Sequence, residues 1–117
     1  MNIDIQTQTF SLSDELRQYV SHRLAFALSS HDEYINLIEV RLNDLNGPKG
    51  GKDMCCQIRV VLFNMSDVII RDVESELRTA IDRACDRAGR TVSRQIERRL
   101  TKARQFDTEV KNSSVSH

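Results

Sequence analysis

The sequence lacks any hydrophobic run that approaches the roughly 18 residues needed to cross a membrane as a helix. Residues 1–4 provide neither the basic region nor the apolar region of a secretory signal peptide. We therefore expect a soluble, cytoplasmic protein with no membrane partner.

Cysteine is scarce and is poorly spaced for a disulfide framework or a zinc site. The three cysteines are Cys55, Cys56 and Cys85, an odd number of which two are adjacent. The chain contains no CxxC pair, and its three histidines are scattered. Neighbouring residues of a strand point to opposite faces, so core packing explains the adjacent pair better than a redox or metal site. No nucleophile, base and acid stand out as a set, and we expect no enzyme activity, no metal and no cofactor.

An excess of one charge is also missing, because 17 basic and 17 acidic residues give a formal net charge of zero. Taken alone, this balance argues against a nucleic-acid partner. The average conceals a segregation, however. Residues 83–104 hold eight basic and two acidic residues, a net charge of +6, whereas residues 1–53 hold five basic and eight acidic residues, a net charge of −3. The sequence therefore predicts one strongly positive edge.

Apolar periodicity predicts six elements in a chain of 117 residues, the length of one domain. The predicted strands are 2–7, 35–44, 54–63 and 67–72, and the predicted helices are 12–29 and 74–104. Ser11 is interpreted as the N-cap of the first helix. Gly89 is expected to weaken the second helix by about 1 kcal/mol relative to alanine.

The order βαβββα predicts an α+β fold with two layers, in which two helices pack on one face of a four-stranded sheet. We expect this domain to cover residues 1–105 and a disordered polar tail to cover residues 106–117. Residues 46–51 are interpreted as a mobile connection between strands.

Five arginines share one narrow side of the second helix, which we call the arginine strip. They are Arg83, Arg87, Arg90, Arg94 and Arg98, and Lys102 extends the same positive edge. The planar guanidinium group binds phosphate at two points and remains charged at any working pH. Spacing by three or four residues places successive side chains about 5–6 Å apart, which is similar to the spacing of phosphates. The strip therefore predicts contacts with the backbone of structured RNA.

Other interpretations of the strip remain open. Charge rows on helices are commonly solvated, and Asp82 and Asp86 could neutralise arginines of the same helix. The strip could also dock on an acidic protein, which would make the chain a protein-interaction module. A general structured-RNA-binding module is a further alternative, since the double-stranded RNA-binding fold uses a similar αβββα unit.

The element order and several segments resemble the ribosome hibernation-promoting factor family, also called the sigma-54 modulation or S30AE family, which includes ribosome-associated inhibitor A. The most specific part is Ala-Ile-Asp at 80–82 followed by Arg87, Arg90 and Arg94. Residues 16–20 and 23–24 of the first helix add support. The resemblance covers about residues 1–104.

The resemblance implies a bacterial hibernation factor, active under stress, that inhibits translation by occupancy and without chemistry. Its partner would be ribosomal RNA in the small-subunit channel for messenger and transfer RNA. The contacts that it implies are Arg87, Arg90 and Arg94, together with Arg23 of the first helix. The resemblance is to the short form, so we expect no domain of the kind that joins ribosomes in long members. We therefore expect a monomer off the ribosome and no small-molecule substrate.

The chain departs from the family pattern in its first helix. Family members carry lysines there, whereas this sequence has Phe26, Ala27, Ser29 and Ser30. Half of the usual basic surface is therefore missing. In the second helix, Arg78 replaces a common tyrosine, and Arg83, Arg98 and Arg99 add positive charge.

Overall fold

The structure is a computed structural model that describes residues 1–45 and 53–115, with side chains described as far as residue 104. Its elements follow the predicted order βαβββα. They are β1 (Ile3–Thr7), α1 (Asp14–Leu28), a short 3₁₀ segment (Ser29–Tyr34), β2 (Ile35–Asp44), β3 (Met54–Leu62), β4 (Val68–Glu74) and α2 (Leu77–Val115). The predicted connection at 46–51 lies outside the described residues.

The four strands form one mixed sheet in the order β1-β2-β3-β4. β1 runs parallel to β2, with Ile3 opposite Ile38 and Thr7 opposite Leu42. The β2–β3 and β3–β4 pairs are antiparallel. Parallel neighbours require a long crossover connection, and α1 provides it. The predicted α+β class, with a four-stranded sheet and two helices, is confirmed.

One face of the sheet and the apolar sides of both helices form a single buried cluster. The strand residues at its centre are Ile38, Val40, Leu42, Cys56, Ile58 and Val60. Val20, Leu24 and Leu28 enter the cluster from α1, and the predicted apolar stripe of α2 is buried from Ala80 to Ile96. Burial of this apolar surface is the main driving force for the fold. It also fixes the rotation of α2 and turns the arginine strip toward solvent.

The start of α1 differs from the prediction. The hydroxyl of Ser13 accepts a hydrogen bond from the backbone N–H of Leu16 at 3.1 Å, which makes Ser13 the N-cap. The predicted cap at Ser11 is wrong, because a capping side chain reaches only two or three residues along the chain. Asp14 and Glu15 occupy the first turn, near the positive end of the helix dipole.

Both ends of α2 also differ from the prediction. The helix begins at Leu77, because Glu74 still pairs with Met54 in the β3–β4 ladder. It continues to Val115, past the predicted end at Arg104, since no proline or glycine interrupts residues 105–115. Side chains beyond residue 104 lie outside the described part of the chain, so the domain boundary at 105 and the disordered tail at 106–117 stay predictions.

The two helices come into close contact at Gly89. A Cβ atom added to this glycine would lie 3.0 Å from the carbonyl oxygen of Ala27 and 3.2 Å from its Cβ. The residue that the sequence marks as a weak point in α2 therefore permits close packing against α1. Phe26 directly precedes Ala27 in the sequence, and Arg90 directly follows Gly89.

Candidate nucleic-acid interface

The arginine strip lies on the solvent side of α2. Its five arginines and Lys102 are all exposed, so the predicted RNA contacts on this helix share one accessible surface. Their surroundings nevertheless divide the strip into two parts, at about the point where Gly89 contacts α1.

Arg83 and Arg87, which we call the proximal pair, are engaged by β4. Arg83 Nη1 lies 3.3 Å from Glu74 Oε1. Arg87 Nη1 donates to the carbonyl oxygen of Arg71 at 2.9 Å and lies 3.3 Å from Asp72 Oδ2. The two carboxylate side chains are only 14% and 12% exposed, so removal of their cations would leave poorly solvated negative charge. The proximal pair therefore connects α2 to the edge of the sheet.

Arg23, the predicted RNA contact on α1, belongs to a polar network between the two helices. Its Nε atom lies 3.0 Å from Asp82 Oδ1, and its Nη2 atom lies 3.1 Å from Asp86 Oδ1. The sequence allowed these two aspartates to neutralise arginines of α2, but the structure pairs them with Arg23. Because both carboxylates bind the same guanidinium group, Arg23 is less available to an external phosphate than the arginines of α2.

Tyr19 extends this network. Its hydroxyl donates to the Asp82 carboxylate, and this hydrogen bond, with a smaller contribution from burial, raises the pKa of Tyr19 above its usual value. The guanidinium group of Arg78 lies over the Tyr19 ring, 4.7 Å from its centroid, which is the geometry of a cation–π contact. The residues around Asp82 thus stabilise the contact between α1 and α2.

Four basic residues further along α2 form what we call the distal basic strip: Arg90, Arg94, Arg98 and Lys102. Among the described side chains, none of the four has an ion pair or a side-chain hydrogen bond. They follow one another at intervals of four residues, which places them about 5–6 Å apart on one side of the helix. Residues 90–104 hold six basic residues and one acidic residue, Glu97, a net charge of +5.

Concave surfaces border the distal basic strip, and two of them are the largest in volume of those it lines. One has a volume of about 800 Å³ and includes Met65, Ser66, Arg98 and Lys102. The other, which we call the interhelical groove, has a volume of about 470 Å³ and lies where α1 and α2 meet. Its lining residues are Phe26, Ala27, Asp86, Gly89, Arg90, Ser93, Arg94 and Glu97.

Phe26 is the residue of this surface that sequence reasoning missed. In the sequence, Phe26 is notable only as the replacement of a family lysine, yet its side chain is 83% exposed. The exposure of Phe26 follows from its position midway between Leu24 and Leu28, which are fully buried. A residue two positions from each of them lies on the opposite side of a helix.

The cysteines are packing residues. Cys55 is 4% exposed and Cys56 is fully buried, and Cys85 is buried on α2. Burial raises the pKa of Cys85 to about 12, and it raises the pKa of Cys56 as well. A raised pKa disfavours the thiolate, which is the reactive and metal-binding form. In the ranges that the structure describes, no group of three or more His, Cys, Asp or Glu side chains could hold a metal ion.

The helices of the described residues include none with the length and apolar character of a membrane span.

Comparisons with known proteins identify the family. The model of the family "Sigma 54 modulation protein / S30EA ribosomal protein" matches residues 3–104. The crystal structure of the N-terminal domain of Thermus thermophilus Protein Y is 29% identical, with a TM-score of 0.66 over 80% of this chain and 98% of that domain. A ribosomal subunit interface protein from Coxiella burnetii shares the fold, with 17% identity and a TM-score of 0.67 over 80% of this chain and 96% of that one. A search of curated proteins gives no significant match. The resemblance drawn from the sequence is confirmed: the chain belongs to the sigma 54 modulation protein / S30EA ribosomal protein family.

Proposed function

We propose that this protein is a ribosome-associated translation inhibitor that binds ribosomal RNA in the small-subunit channel for messenger and transfer RNA. It acts by occupancy, so a bound copy excludes the RNA ligands of the channel and needs no catalytic step. The observation that carries the proposal is the distal basic strip, whose four cations have no partner among the described side chains. Membership of a ribosomal protein family supports the ribosome as the source of the phosphates.

The distal basic strip is better suited to this role than the rest of the predicted site. A cation without a protein partner gains the full benefit of phosphate contact and counterion release. The proximal pair and Arg23 must first leave carboxylates that lie within 3.0–3.3 Å. The last turn of α1 holds no basic residue, so RNA contact depends mainly on α2. Arg90, Arg94, Arg98 and Lys102 are therefore the principal phosphate contacts in this proposal.

Co-sedimentation with purified 30S or 70S particles tests the partner. We expect the protein to pellet with the particles at low salt. With four phosphate contacts, a plot of log affinity against log salt concentration should have a slope of about −3. A protein that stays in the supernatant at both low and physiological salt would contradict ribosome binding.

Inhibition of translation in a reconstituted system tests the mechanism. Occupancy predicts that inhibition reaches its limit at about one protein per ribosome. Inhibition at far lower ratios would indicate catalysis and would contradict the proposal.

Equal affinity for an arbitrary RNA hairpin and for ribosomes would favour a general structured-RNA-binding module, and recovery of one acidic protein after nuclease treatment would favour a protein-interaction module.

A further inference from the structure

Phe26 presents an aromatic ring to solvent beside two arginines that have no ion-pair partner among the described side chains. Its side chain is 83% exposed, the largest fraction among the exposed large hydrophobic residues of the described chain. The same groove is lined by Arg90 and Arg94 from the neighbouring helix. The close contact between Gly89 and Ala27 brings these elements together. A flat apolar surface and two cations therefore lie along one groove.

This combination is typical of proteins that bind single-stranded nucleic acid. An aromatic face stacks on a nucleobase, and neighbouring cations bind the phosphates on either side. Every base has a π face, so such stacking works with little dependence on sequence. A paired base inside an A-form helix hides its faces within the stack, whereas unpaired bases in loops and bulges can lie on an aromatic side chain.

The interhelical groove fits a base better than it fits an apolar side chain of a protein. Apart from the Phe26 ring and the small residues Ala27 and Gly89, its lining is polar or charged. The Ser93 hydroxyl, which lies 2.8 Å from His31 Nε2, adds a polar group to this lining. A base has apolar faces and polar edges, and this groove offers one apolar surface with polar groups around it.

The two acidic residues of the groove differ in whether they have a partner. Asp86 is already paired with Arg23 at 3.1 Å. Glu97 has no partner among the described side chains, and its negative charge partly offsets the positive charges of Arg90 and Arg94. The two arginines and the two carboxylates of the lining balance in formal charge. Asp86 is held by Arg23, however, and neither Arg90 nor Arg94 has an ion-pair partner among the described side chains, so both guanidinium groups remain available to phosphate.

We propose that the interhelical groove holds an unpaired nucleobase of RNA, stacked on the Phe26 ring, while Arg90 and Arg94 bind the phosphates that flank it. This inference rests on the proposed function for the source of the RNA. Stacking on Phe26 gives α1 a role in RNA binding that does not depend on basic residues.

Substitutions at residue 26 test the stacking, with the ribosome as ligand. Phe26→Leu keeps an apolar side chain without a π face, and Phe26→Trp keeps the aromatic face. We expect Phe26→Leu to weaken ribosome binding about tenfold with an unchanged salt slope, because stacking releases no counterions. Phe26→Trp should bind at least as tightly as the unchanged protein. Arg94→Gln should instead reduce the salt slope by about 0.7–0.9. Equal affinities of Phe26→Leu and the unchanged protein would overturn the inference and leave the proposed function standing.

A fluorescent oligonucleotide separates RNA stacking from a protein contact. The probe is a single-stranded RNA of about six nucleotides with 2-aminopurine at its centre, whose fluorescence falls when the base stacks. We expect quenching by the unchanged protein, a loss of this quenching with Phe26→Leu, and no Phe26-dependent quenching of the same probe in a duplex. A Phe26→Leu defect on ribosomes without any Phe26-dependent quenching would assign Phe26 to a ribosomal protein and overturn the inference. If the unchanged protein binds no ribosomes, the proposed function fails and the oligonucleotide result alone decides the inference.

Discussion

The two halves of the arginine strip contain the same residue type on the same side of the same helix, yet they have different surroundings. The proximal pair contacts Asp72 and Glu74 of β4, whereas the distal basic strip has no partner among the described side chains. The difference arises because β4 brings two carboxylates, Asp72 and Glu74, to the first turns of α2. Charge pattern alone therefore does not identify a binding residue, and the position of the neighbouring elements decides between stability and recognition.

The strongest test of this difference between the two halves is to remove two positive charges from each half in turn and to compare ribosome binding. Arg94→Gln with Arg98→Gln should weaken ribosome binding about 100-fold, since each charge-assisted contact contributes about 1.5 kcal/mol or more. The matched double variant, Arg83→Gln with Arg87→Gln, should weaken it less than threefold, on the order of 0.5 kcal/mol. Both affinities are measured by co-sedimentation at one salt concentration. Equal losses in the two variants would show that the proximal pair also binds the ribosome.

Gly89 lies at the boundary between the two halves, and its substitution should have the next largest effect, a loss of stability. Gly89→Leu should lower the free energy of unfolding by about 2 kcal/mol, because the added side chain overpacks the contact with Ala27. Urea denaturation measures this change. Ala103→Leu is the matched control on the exposed distal part of α2 and should change stability by less than about 0.5 kcal/mol. A Gly89→Leu variant as stable as the control would contradict the close packing of the helices.

A smaller effect distinguishes the carboxylates of the two halves. Asp82→Ala removes the partner of Arg23 and the acceptor of the Tyr19 hydroxyl, so we expect stability to fall by about 1 kcal/mol. Glu97→Ala, on the distal half, removes an exposed carboxylate without a partner among the described side chains and should be nearly neutral. Thermal or urea denaturation compares the two variants. Similar stabilities of the two variants would contradict a stabilising role of the polar network around Asp82.

The smallest effect concerns alkaline pH. Because the folded state raises the pKa of Tyr19, the unfolded chain loses this proton first as the pH rises past about 10. The contribution of Tyr19 to stability is therefore complete below pH 10 and is lost as the pH rises through the folded-state pKa. The stability difference between the unchanged protein and Tyr19→Phe should shrink over this range in urea titrations. A difference that stays constant would show that the Asp82 hydrogen bond does not hold the Tyr19 proton.

The sequence predicts the fold almost completely, because alternation in the strands and the helical apolar stripe depend on local spacing. It also predicts that the arginine strip is exposed, since the buried stripe of α2 fixes the rotation of the helix. It does not predict which arginines are engaged, because their carboxylates come from β4 and meet α2 only in three dimensions. The role of Phe26 depends in the same way on the contact between Ala27 and Gly89.

The parallel pairing of β1 has a consequence for how the molecule opens. β1 is an edge strand, and its one partner, β2, follows it only after α1 in the sequence. The β2–β3 and β3–β4 pairs are antiparallel and have no helix between their strands. Closure of the long crossover costs more chain entropy than closure of a hairpin, so β1 is expected to detach in the lowest-energy local unfolding event. Because α1 contacts α2, and α2 contacts β3 and β4, such an event leaves the two helices packed against each other. The interhelical groove would then keep its shape while β1 is detached.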